Sequence, residues 1–148
     1  MKVRDIMTSR VTSAKPADSI ANAAWLMAEE DVGALPIVRE GGVVGMVTDR
    51  DIAVRAVAGA IAPQTEVRRI MTDPVVCCSP DDELEHAIEL MSNEQVRRLP
   101  VCDPGGKLVG IVALADAAHR DPDKSEVGEA LDEICEPAGV HSQAPVFA

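Results

Sequence analysis

The chain carries nearly the same sequence twice. Val3-Arg4-Asp5-Ile6-Met7-Thr8 returns as Val67-Arg68-Arg69-Ile70-Met71-Thr72. Ala34-Leu35-Pro36-Ile37-Val38 returns as Arg98-Leu99-Pro100-Val101-Cys102, and Val43-Val44-Gly45-Met46-Val47 as Leu108-Val109-Gly110-Ile111-Val112. The spacing is constant up to the prolines and one residue wider beyond them, because the second hairpin loop is longer. Such a repeat implies two copies of one supersecondary unit. The expected arrangement faces the copies about a pseudo-twofold axis, with clefts between them. One copy of roughly 60 residues would be marginal alone, so the copies should share a core and fold as one unit.

Each copy presents its elements in the same order. Val11-Thr12-Ser13 and Val75-Val76-Cys77 are short and rich in β-branched residues, which reads as a strand. A helix follows, opened by an acidic first turn at Asp18 and at Asp81-Asp82. Ile20, Ala23, Ala24 and Met27, then Leu84, Ala87, Ile88 and Met91, form apolar stripes at helical spacing. Two strands joined by Gly-rich loops read as hairpins: Ala34–Val38 with Val43–Thr48, and Leu99–Cys102 with Leu108–Ala113. A second helix starts near Asp49–Asp51 and Ala115–Asp116. The fold class is α/β (α+β): tandem β-α-β-β-α modules over residues 1–60 and 61–120, joined through residues 58–66. Residues 121–148 form a C-terminal helix, with an apolar stripe of Val127, Leu131 and Ile134, and a flexible tail. Phe147 is not expected to dock.

Charge and composition remove several functions. The net charge of −11 disfavours a nucleic-acid backbone as partner. Trp25 and Phe147 are the only aromatics, so base-stacking platforms are missing. No apolar run is long enough to span a membrane, and the N-terminus does not read as a signal peptide. A cytoplasmic location is expected. Cys77, Cys78, Cys102 and Cys135 show no C-x-x-C spacing, which weakens any metal or redox-motif reading. His86 and His119 read as surface residues. No nucleophile–base–orienter set is visible, so no catalysis is expected.

The second hairpin strand ends in Thr48-Asp49-Arg50-Asp51 in one copy and Ala113-Leu114-Ala115-Asp116 in the other. A hydroxyl and a carboxylate three residues apart, at a strand-to-helix junction, point over the same turn. The carboxylate can accept two hydrogen bonds from a vicinal diol such as ribose, and the hydroxyl with the helix amides can hold a phosphate. Thr48 reads equally well as a helix cap. For Asp51 and Asp116 the recurrence of the acid favours ligand binding.

The paired β-α-β-β-α units, the h-x-x-h-P-h strand (h, hydrophobic) and the G-h-h-T-x-x-D ending resemble CBS domains, over residues 1 to about 120. The likeness is to small stand-alone bacterial proteins made of one CBS pair, of the hypoxic-response-protein type. The resemblance implies modules packed through their sheets, a homodimer, and an adenosine-type ligand (AMP, ADP, ATP, S-adenosylmethionine or NAD) in the clefts, with no obligatory cofactor. It implies that Asp51 and Asp116 take ribose hydroxyls and that Thr48 lies near the ribose and phosphate. Ser13 and Cys77 would border the adenine, and Ala34 and Arg98 would line the cleft. Arg97 and Arg98 match basic positions that contact phosphates; strand alternation turns one of them outward, and Arg98 is the stronger candidate. Arg50 and Lys107 read as surface charges.

Two departures stand out. Ala113 replaces the hydroxyl residue, and Gly33-Ala34 offers no basic group where the second copy has Arg97-Arg98. The sites should therefore differ in affinity. In the family topology the first two strands of a module are parallel neighbours, which would bring Cys77 or Cys78 near Cys102; a disulfide needs a Cα separation near 5.5–6 Å, and reduced thiols are the preferred reading. Cys135 could link dimers. The resemblance thus implies a sensor of an adenosine-type ligand that signals to a protein partner of unknown identity. The alternative is a ligand-free, stress-associated dimeric scaffold; an enzyme is the least favoured class.

Overall fold

The computed structural model describes residues 1–120 and 124–135. The elements run α1 (Val3–Ile6), α2 (Ile20–Glu30), β1 (Ala34–Arg39), β2 (Gly42–Thr48), α3 (Asp49–Asp51), a π-helical continuation (Ile52–Val57), a 3-10 turn (Val67–Arg69), α4 (Leu84–Glu94), β3 (Arg98–Cys102), β4 (Leu108–Ala113), α5 (Leu114–Arg120) and α6 (Ser125–Ile134). The tail, with Phe147, lies outside the described residues.

The chain forms two compact units. One comprises Arg10–Val75 and Cys102–Val109; the other comprises Met1–Ser9, Val76–Val101 and the described residues from Gly110 onward. The repeated V-R-x-I-M-T segments therefore sit away from their own sequence copies. In the first unit, Thr72 pairs antiparallel with Met46 on β2, its N–H donating to the Met46 carbonyl at 2.7 Å. In the other, Thr8 pairs the same way with Ile111 on β4, at 2.9 Å. Val67 and Ile70 are buried in one core, Val3 and Ile6 in the other.

β1 and β2 pair antiparallel, from Ala34 opposite Thr48 to Arg39 opposite Gly42. Their turn is tight: Glu40 has φ 51° and Gly41 φ 83°. Two successive left-handed residues match the twist of a two-residue hairpin, and Gly41 holds its conformation without a Cβ clash. β3 and β4 form the second small sheet.

The first strand of each copy does not form where expected: no residue of Val11–Ser13 or Val75–Cys77 is in a strand. One residue further on, single parallel bridges join Ala14 to Ile37 and Cys78 to Val101. Pro16 and Pro80 follow two residues later, and a proline has no N–H to extend a ladder. Cys78 Sγ donates to the Pro100 carbonyl at 3.8 Å, and no disulfide is formed among the described residues.

The acids placed in the helical first turns also act elsewhere. α2 starts after Ser19, whose hydroxyl accepts the Asn22 N–H at 3.0 Å, and its first turn holds no acid. Asp18 instead accepts the Lys15 N–H, and Asp82 the Ser79 N–H, each at 2.8 Å. These are turn closures ahead of the helix, the conformation short polar side chains favour. The linker then serves α2: Thr65 and Pro63 carbonyls accept the Ile20 and Ala21 N–H groups at 2.9 Å, satisfying donors that lack partners inside the helix.

The apolar stripes are confirmed with two exceptions. Ile20, Ala23 and Met27 are buried, as are Leu84, Ala87, Ile88 and Met91. Ala24 is exposed, whereas its counterpart Ile88 is covered. α6 packs on α4. On α6 itself Val127 and Ala130 are buried while Leu131 is 44% exposed, so the helix presents a narrower face than Val127-Leu131-Ile134.

Candidate functional site

Ser13, Ala34, Thr48 and Asp51 all belong to the first unit. The register sets Ala34 opposite Thr48. The Ala14 N–H bonds the Pro36 carbonyl at 3.0 Å, so Ser13 precedes a bridge to the middle of β1 and is itself exposed. Thr48 ends β2 with an extended backbone and opens α3. Its hydroxyl accepts the Asp51 N–H at 3.0 Å, and Asp51 Oδ2 accepts the Thr48 N–H at 3.0 Å. This reciprocal pair is a capping box. Asp51 is only 6% exposed, and its Oδ1 lies 3.7 Å from Arg55 Nε.

Cys77, Arg97, Arg98, Ala113 and Asp116 belong to the other unit. Asp116 Oδ2 accepts the Ala113 N–H at 3.0 Å. Half of the box is retained; the other half is missing because Ala113 has no hydroxyl. Arg98 is half-buried at the start of β3, and Arg97 is exposed. One Arg97 N–H points to Cys135 Sγ at 4.0 Å.

The position before the strand separates the two sites. The Gly33 carbonyl accepts the Asp49 N–H at 3.0 Å, as the Arg97 carbonyl accepts the Leu114 N–H at 2.8 Å. A Cβ on Gly33 would stand 3.1 Å from Asp49 Oδ2. One copy therefore offers a carboxylate where the other offers a guanidinium beside leucine. Phosphate oxygens suit the latter.

Sequence reasoning did not single out Arg55 or Arg120. Arg55 Nη1 donates to the Ile70 and Met71 carbonyls at 3.2 and 3.3 Å. Arg120 Nη1 donates to the Asp5 carbonyl at 3.2 Å. The available signal was the shared phrase Asp51-x-x-x-Arg55 and Asp116-x-x-x-Arg120, whose i,i+4 spacing places both side chains on one helical face.

No group of three or more metal-ligating side chains occurs among the described residues, and no helix of the described residues is long and apolar enough to cross a membrane.

Comparison with known proteins yields matches over most of the chain. The family model for the CBS domain matches residues 3–57 and 67–133. The CBS domain-containing protein YhcV of Bacillus subtilis is 43% identical over 132 residues, covering 89% of this chain and 94% of YhcV. Hypoxic response protein 1 of Mycobacterium tuberculosis is 34% identical over 141 residues, covering 94% of this chain and 97% of its own. Among solved structures, CBSX2 in complex with AMP superposes with a TM-score of 0.69 at 29% identity, over 80% of this chain and 93% of that one. The CBS domain pair of MJ0100, in complex with 5-methylthioadenosine and S-adenosyl-L-methionine, superposes with a TM-score of 0.73 at 32% identity, over 80% and 94%.

Proposed function

This chain belongs to the CBS domain family as a tandem pair, and from that premise we propose that it is a regulatory module in the cytoplasm. It binds an adenosine-type ligand at Asp51 and Asp116 and passes its occupancy to a protein partner. The carrying observation is the repeated carboxylate clamp. In each unit one oxygen of the acid is fixed at 3.0 Å by the backbone N–H three residues earlier. A carboxylate has a second oxygen with which to accept ribose hydroxyls. CBSX2 with AMP and the MJ0100 pair with adenosyl ligands support the ligand class.

Arg98 is assigned to ligand phosphate, with Arg97 beside it the weaker candidate. Thr48, Ser13 and Ala34 line the site of Asp51, and Cys77 matches Ser13 in the repeat. Trp25, Val54 and Val57 expose apolar surface in the first unit, which supports a homodimer that buries them. No catalytic step is assigned.

A thermal-shift panel of AMP, ADP, ATP, S-adenosylmethionine and NADH tests the reading. Ligand at one hundred times its Kd adds about 2.7 kcal/mol of stability. No shift with any of them at millimolar concentration contradicts it.

One observation favours a ligand-free scaffold instead. Asp5, Asp18 and Asp82 close turns on the N–H three residues earlier, as Asp51 and Asp116 do. The motif therefore has a purely structural use in this chain. Co-purified nucleotide in native mass spectrometry separates the two readings.

A further inference from the structure

We propose that Arg55 is a positioning residue that couples the Asp51 carboxylate to the repeated segment at residues 67–72. The inference rests on the ligand site proposed above and adds its route of signalling.

Arg55 meets both ends of that route. Its Nε stands 3.7 Å from Asp51 Oδ1, beyond a hydrogen bond but close enough for charge to orient the carboxylate. Its Nη1 bridges the Ile70 and Met71 carbonyls. These lie just after the 3-10 turn Val67–Arg69, and the next residue, Thr72, exchanges both backbone bonds with Met46 on β2. The other carboxylate oxygen of Asp51, Oδ2, accepts the Thr48 N–H. A ribose that bonds Oδ1 therefore alters the group Arg55 faces, and one rigid guanidinium cannot answer that change without altering its hold on Ile70 and Met71.

The half of this relation that joins arginine to segment recurs in the other unit, one position earlier in the repeat. Arg120 stands four residues after Asp116 and donates to the Asp5 carbonyl, within the segment that repeats residues 67–72. In each unit, the arginine following the site acid holds the backbone of a V-R-x-I-M-T segment.

The experiment compares wild type, Arg55→Ala and Arg55→Lys with AMP as probe, reading AMP affinity and hydrogen exchange of residues 67–75. In wild type, AMP changes exchange in that segment. Arg55→Ala weakens AMP about threefold, the size expected of one partly exposed pair, and abolishes the exchange response. Arg55→Lys keeps the charge but not the fork, so it restores affinity and not the response; it also carries the test should the alanine variant fail to fold. If wild type binds AMP and both variants bind and respond like it, the coupling is overturned while the ligand site stands. If wild type does not bind AMP at millimolar concentration, the ligand reading falls and takes the coupling with it.

Discussion

A β-carbon on Gly45 would stand 2.5 Å from Met71 Sδ and 3.1 Å from the Thr72 carbonyl oxygen. The relation recurs at Gly110, with Met7 Sδ at 2.7 Å and the Thr8 carbonyl oxygen at 3.0 Å. A methionine tail can swing aside, but the backbone carbonyl cannot without breaking the Thr72–Met46 or Thr8–Ile111 pairing. Gly45→Val and Gly110→Val should each lose about 1–3 kcal/mol through overpacking, read by urea denaturation. Stability equal to wild type in both would mean that the segments lift off their sheets at little cost.

Ala113→Thr should complete the capping box that Asp116 half makes. A hydroxyl there can accept the Asp116 N–H as Thr48 accepts that of Asp51. The expected gain is about 0.5–1 kcal/mol, the lower part of the range for an N-cap, together with tighter adenosine binding in that unit. A more stable variant with unchanged adenosine affinity would confine the hydroxyl to capping.

Arg98→Ala should weaken ATP far more than adenosine. One charge-assisted contact to phosphate contributes about 1.5–3 kcal/mol, roughly tenfold or more in Kd. Calorimetric titration with both ligands measures the ratio. Equal losses would remove Arg98 from the phosphate role.

Glu83 provides a pH test of how the N-terminus is tied down. The Lys2 ammonium, hydrogen-bonded to its carboxylate, holds the Glu83 carboxyl below its usual range, with a smaller contribution from the Met1 ammonium at 3.5 Å. A carboxyl lowered by folding adds stability above its unfolded pKa and loses it as pH falls through the folded value. An NMR titration should therefore place the Glu83 midpoint below that of an unstructured glutamate. Lys2→Gln should move it back up; an unmoved midpoint would show that the pair is not formed in solution.

Much of this was legible in the chain because the signals are local. Hairpin strands and apolar helical stripes follow from periods of two and 3.6 residues, and the Thr48–Asp51 junction follows from capping chemistry. What was not legible depended on neighbours far along the chain. The expected Val11–Ser13 strand gives way to a single bridge one residue later, at Ala14, and Pro16 keeps that bridge from extending. Asp18 and Asp82 have the residue type of a first-turn acid, but their carboxylates close the preceding turn. Ala24 and Ile88 have equal claims to a buried face, yet only Ile88 is covered. Arg55 looks like any solvated helix cation until the carbonyls of Ile70 and Met71 are brought beside it.

A polypeptide holding just one copy of the repeat could not supply Met46 or Ile111 with a strand partner from a neighbouring copy of itself in sequence. It would have to borrow that partner from another molecule, as an exchanged dimer does. With both copies in one chain each partner is supplied covalently, Thr72 to Met46 and Thr8 to Ile111.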